Sequence, residues 1–133
     1  LNIQMKKNNS QLGTLASEIS DKKLHENKNV VKVITKEKLN FSNFPEATNF
    51  IRINYEKKEN IYHHLGIYCY QIETLQNFVS FNQSSNEVEK KLEQFRALDN
   101  GIKINVALSK SSPIGVDTEE DFLAIKKIME YKP

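Results

Sequence analysis

The chain has 133 residues, about one domain's worth; 38% are hydrophobic and 27% charged, enough to bury a core and stay hydrated. Nineteen Lys+Arg against 17 Asp+Glu leave a formal net charge of +2, too small an excess to mark nucleic acid or an anionic membrane as a partner. A single cysteine, Cys69, excludes an internal disulfide framework and a multi-cysteine zinc site, and no apolar run approaches the ~18 residues of a membrane span.

Leu1 to Lys7 reads as the tail of a helix already under way, and a chain opening on Leu is expected to be a fragment. Alternation from Leu12 to Ile19 predicts a strand. Asp21 to Asn29 is polar and reads as loop. The β-branched run Val30-Val31-Lys32-Val33-Ile34 predicts a second strand. Pro45 breaks regular structure in the stretch that follows, and Asn49 to Ile53 predicts a short strand. Lys57 to Asn60 reads as an exposed loop.

From His64 to Tyr70 the period is two. Leu65, Ile67 and Cys69 share a face expected to meet the core; His64, Gly66, Tyr68 and Tyr70 share the other. Ile72 to Ser80 predicts a short helix. Ser84 or Ser85 caps a longer one, with Val88, Leu92, Phe95 and Leu98 as its apolar stripe and Asn100-Gly101 as its stop. Ile102 to Leu108 alternates as a strand. Thr118-Glu119-Glu120-Asp121 has the pattern of a capping box opening a last helix, with Phe122, Ile125, Ile128 and Met129 expected in the core. Strands and helices in this order predict one α/β domain over residues 1–133.

Four constellations carry chemistry, each beside a plainer reading. Asp117, between a strand and a helix, is placed either to hold Mg²⁺ or to cap the helix. His64 and Tyr68 on one strand face either line a pocket for a polyhydroxylated ligand or are partly buried aromatics. Glu93 and Gln94 suit sugar hydroxyls, or lie on a solvated helix face where Glu93 pairs with Arg96. Arg52, between apolar neighbours, grips a carboxylate or phosphate, or is an ordinary surface arginine. His63-His64 is no metal pair, because strand neighbours point to opposite faces.

Taken together, His64-Leu65-Gly66-Ile67-Tyr68-Cys69-Tyr70, Leu92-Glu93-Gln94-Phe95-Arg96-Ala97-Leu98, Asn100-Gly101-Ile102-Lys103-Ile104 and Gly115-Val116-Asp117-Thr118-Glu119-Glu120-Asp121 resemble the 3-deoxy-manno-octulosonate cytidylyltransferase (CMP-Kdo synthetase) family. Thr14-Leu15-Ala16, Asn29 to Val33, and Ala47 to Arg52 extend the likeness upstream, although Ile51 replaces the family's Ser before Arg. The resemblance implies the C-terminal part of a nucleotide-diphospho-sugar transferase-like fold, doubly wound with a mixed sheet. It implies transfer of CMP from CTP to Kdo with Mg²⁺, for lipopolysaccharide assembly in the cytoplasm. Carried over by position, Asp117 is one of two Mg²⁺ aspartates, Arg52 meets the Kdo carboxylate or nearby oxygens, and His64, Tyr68, Glu93 and Gln94 line the Kdo pocket. The family's nucleotide-binding segments have no counterpart in the chain. This fragment is therefore expected to be the sugar-binding and dimerising half, inactive alone and self-associating through exposed apolar surface. A cytidylyltransferase for another sialic-type acid, or an interaction module without chemistry, are the alternatives.

Overall fold

The β-branched and aromatic runs become five strands: β1 Leu12–Ser17, β2 Lys32–Thr35, β3 Ala47–Ile51, β4 Ile61–Tyr70 and β5 Ile104–Leu108. Six helices flank them: α1 Asn2–Asn8, α2 Lys22–Glu26, α3 Ile72–Ser80, α4 Ser85–Lys90, α5 Gln94–Asp99 and α6 Glu119–Glu130. The computed structural model describes residues 1–53, 59–111, 116 and 118–130. The strands form one mixed sheet in the order β3-β2-β4-β1-β5, parallel only between β1 and β5. This is the expected α/β architecture.

The larger core lies on one face of the sheet. Leu12, Val33, Phe50, Ile104 and Val106, each at most 1% exposed, pack there with Phe78 of α3 and with Leu92, Phe95 and Ala97 around α5. Each such side chain contributes about 1.5–3 kcal/mol by leaving water. On the opposite face Met5 of α1, Phe44 and Ala107 form a smaller cluster with Leu15 and Cys69. Gly13 is required between them, because a Cβ there would lie 2.6 Å from the Met5 sulfur and 2.8 Å from the Phe44 ring.

Four expectations are corrected. First, residues 21–29 are not all loop: the Asp21 side chain accepts from Lys23 N at 2.9 Å and starts α2. Second, the faces of β4 are exchanged. Tyr68 and Tyr70 pack on the larger core, and Ile67 is 51% exposed. Both faces of the sheet are covered, and the larger aromatic side chains take the larger core. The exposure of Ile67 comes from a register shift: Thr14 pairs with Tyr68 but Leu15 pairs with Leu65, so Gly66 and Ile67 bulge out of the ladder. Third, the long helix is broken. Lys91 adopts φ 55°, α4 ends there, and Val88 is exposed. Fourth, α6 buries none of its residues, and Phe122, Ile128 and Met129 are exposed. Its box does form, with Thr118 Oγ1 accepting from Asp121 N and Asp121 accepting from Thr118 N, both at 3.2 Å.

Candidate functional site

The local cause of the site is the bulge in β4. It turns the Ile67 and Leu65 carbonyls toward Thr14, whose Oγ1 lies 2.8 Å from the first and 3.2 Å from the second. A hydroxyl has one proton; the carbonyls can only accept whereas Nε2 can donate, so the arrangement that uses the contacts best gives the proton to Ile67, the nearer carbonyl. The Thr14 oxygen is then an acceptor for His64 Nε2, 2.8 Å away. This fixes the imidazole as the Nε2–H tautomer and leaves Nδ1 as an acceptor. No described residue hydrogen-bonds Nδ1. Burial, and then the neighbouring His63, pull the His64 pKa from 6.5 to about 4, so the ring is neutral near pH 7. Phe50 meets it edge-on at 5.1 Å between centroids.

Tyr68 stands 5.6 Å from His64, ring to ring. Burial first, then the charge of Glu93, raises its pKa, so the phenol keeps its proton. Tyr70 is raised for the same two reasons. Glu93, exposed at the start of α5, therefore projects its charge over both phenols. Gln94 follows it and is only 5% exposed, against the expectation of a solvated helix face. Its side-chain amide hydrogen-bonds none of the described residues and is left available to a ligand. Together the groups supply an imidazole acceptor, a phenol, a carboxylate, and an amide that both donates and accepts. That set matches a cluster of hydroxyls.

Glu93 does not pair with Arg96. Arg96 instead forks onto Glu87, with Nε 2.9 and 3.1 Å from the two carboxylate oxygens. Glu87 also closes the capping box with Ser84. This tie braces the break between α4 and α5, and its hydrogen bonds hold the Glu87 pKa low.

Arg52 lies in a separate cavity of about 460 Å³, lined also by Lys28, Phe50, Lys90 and Lys91. None of His64, Tyr68, Glu93 or Gln94 lines it; Phe50 does, and its ring also meets His64. The Arg52 guanidinium donates to the carbonyls of Lys28 (3.2 Å), Lys90 and Lys91 (both 3.3 Å). Asp117 lies outside the described residues, and among those described no three His, Cys, Asp or Glu are grouped to hold a metal. Two contributors escaped the sequence reading. Thr14 gave no signal, being one more β-branched residue in a strand. Lys32 did give one, a lone cation inside a β-branched run.

Comparison with known proteins sets this geometry in context. No protein-family model matches the chain. A 3-deoxy-manno-octulosonate cytidylyltransferase of Thermodesulfovibrio yellowstonii is 39% identical over 131 residues, covering 94% of this chain and 51% of that protein. One from Bartonella tribocorum is 35% identical over 127 residues, covering 90% and 49%. The chain is homologous to the 3-deoxy-manno-octulosonate cytidylyltransferases. It spans about half the length of the curated relatives it matches. A solved CMP:2-keto-3-deoxy-manno-octonic acid synthetase complexed with CTP superposes with a TM-score of 0.80 at 26% identity, over 98% of this chain and 54% of that one. The five-stranded mixed sheet thus has the fold of that synthetase, which is nucleotide-sugar transferase-like. No helix of the described residues is long and apolar enough to cross a membrane.

Proposed function

We propose that this chain is the C-terminal, sugar-acid-binding half of a cytoplasmic cytidylyltransferase that transfers CMP from CTP to Kdo and releases pyrophosphate. The observation that carries the reading is Gln94, a side chain only 5% exposed whose amide bonds no described residue, on the helix turn that sets Glu93 over Tyr68. A polyhydroxylated ligand would supply partners for that amide. His64 Nδ1 and the Glu93 carboxylate accept from hydroxyls, Tyr68 and Gln94 donate, and Arg52 supplies positive charge for a carboxylate. The sugar's anomeric oxygen attacks the α-phosphorus of CTP, and the work of these side chains is to hold that oxygen in line.

The relatives are named as cytidylyltransferases, and Mg²⁺ would supply charge neutralisation on the phosphates. Asp117 is the chain's expected ligand for it. The described residues offer no metal cluster, so the proposal rests on the sugar pocket and not on the ion. A homodimer is part of the proposal, supported by the exposed apolar side chains of α3 (Ile72, Val79) and α6 (Phe122, Met129).

The experiment is pyrophosphate release with CTP, Kdo and Mg²⁺. A full-length polypeptide carrying this chain turns over, and the chain alone does not. Turnover with CTP but no dependence on a 3-deoxy sugar acid would refute the reading.

A further inference from the structure

Lys32 is the largest fully buried side chain among the described residues, at 0% exposure. Its ammonium donates to the carbonyl of Asn27 at 2.7 Å and to the carbonyl of Arg52. No carboxylate of the described residues pairs with it. Burying an ammonium against two neutral carbonyls is expensive, and a Met or Leu on this strand would avoid that cost. Burial, and then the like charge of Arg52, lower the Lys32 pKa to about 8, which records the expense. His63 faces it in register across β4, and burial followed by the Lys32 charge lowers that pKa too. A central strand that carries such a group gives up stability for geometry.

The geometry concerns Arg52. Its backbone carbonyl is tied by Lys32 to the turn at Asn27, and its guanidinium is tied to Lys28 of the same turn and to the α4–α5 break. Each bond takes one hydrogen, so about two of the five N–H donors stay free for a ligand. We propose that Lys32 is a positioning residue for Arg52: it fixes the end of β3 so that the guanidinium stays at the mouth of its cavity, ready for the carboxylate of an acid sugar. This rests on the function proposed above. It assigns Lys32 no contact with the sugar.

The test uses Lys32→Met and Arg52→Ala, singly and together. NMR of the chain follows the Arg52 Nε–H signal, and titration with Kdo gives a Kd. Lys32→Met should speed exchange of that Nε–H with water and weaken Kdo binding, each by about tenfold. Arg52→Ala should weaken Kdo binding by a similar factor, and the double variant should be no weaker than Arg52→Ala, because Lys32 acts through Arg52. Lys32→Gln, which keeps one donor, gives an intermediate result and stands in if Lys32→Met does not fold. Val106→Ala, a core change away from the cavity, lowers Tm and moves neither readout. An unchanged Nε–H signal in Lys32→Met, or losses that multiply in the double variant, overturns the proposal. Kdo binding untouched by Arg52→Ala overturns the sugar role of Arg52 instead, and the Nε–H signal alone then decides the role of Lys32.

Discussion

Thr14 and His64 face each other across the β1–β4 ladder, with Oγ1 and Nε2 2.8 Å apart and the hydroxyl proton spent on the Ile67 carbonyl. The bulge in β4, the hydroxyl and the imidazole form one chain of hydrogen bonds. Its far end, His64 Nδ1, is an acceptor, which the proposed function assigns to a sugar hydroxyl. Removing the middle of the chain is informative. Thr14→Val keeps the shape and strands a buried Nε2–H, which costs about 1–3 kcal/mol. Imidazole ¹⁵N shifts should show a mixture of tautomers, and Kdo affinity should fall about tenfold. Thr14→Ser should restore both. A single tautomer in Thr14→Val would remove Thr14 from the site.

The neutral state of His64 sets a pH dependence with a definite sign. Its pKa is about 4 in the fold against 6.5 in an open chain. Between those values the unfolded chain holds more protons, so stability is full above pH 6.5 and is lost as the pH falls toward 4. A difference of that size is worth about 3 kcal/mol. His63 is lowered as well and adds in the same sense. Urea unfolding at pH 7, 5.5 and 4 should show the decline, and His64→Phe should flatten it. An equal slope in that variant would place the acid sensitivity elsewhere.

Gln94 separates stability from function. Its side chain is only 5% exposed and its amide bonds no described residue, so Gln94→Met breaks no described hydrogen bond and keeps the volume. The variant should be as stable as the parent or up to about 1 kcal/mol more so. Kdo binding should weaken at least about tenfold. A residue serving only the core would behave the other way, losing stability and sparing the ligand.

The sequence exposed what depends on local pattern, and hid what depends on which surface finds a partner. The helix at Ile72–Ser80 and the Ser84 cap stand where the pattern puts them, because spacing and capping chemistry are local. Period two correctly divided β4 into His64/Tyr68/Tyr70 and Leu65/Cys69. It said nothing of which side meets the larger core, and the aromatic side does. The break at Lys91 was invisible because a lysine at φ 55° has no compositional mark, and Val88 completed a helical stripe that the fold does not bury. The stripe of α6 reads as core and is exposed, because a stripe shows that a surface is apolar and not that anything in this chain covers it. His64, Tyr68 and Glu93 were legible as candidates only through four matched segments together, since each alone had an ordinary structural reading.

On the function proposed above, Asp117 is the residue expected to serve the chemistry, as distinct from sugar binding. In a full-length polypeptide Asp117→Asn should lower turnover at least about a hundredfold, because a magnesium ligand is lost while its hydrogen-bonding shape is kept. Kdo binding by the isolated chain, followed through His64 and Tyr68 signals, should be unchanged. If Asp117 only caps α6, the variant instead loses some stability and keeps its rate.

The αL residue at the α4–α5 break allows a test of the scaffold apart from the ligand. Lys91 has φ 55° and closes α4 through its N–H to the Glu87 carbonyl. A side chain in this conformation costs about 1–2 kcal/mol, and glycine avoids it. Glycine also has more freedom to lose on folding, by roughly 0.5–1 kcal/mol, so the net gain for Lys91→Gly is about 0.5–1 kcal/mol. The carbonyls that hold Arg52 are main-chain atoms and survive the change. Lys91→Gly should therefore raise Tm, and Lys91→Ile, β-branched at the same φ, should lower it. A destabilised glycine variant would mean that the lysine side chain, and not the backbone turn, holds the break in place.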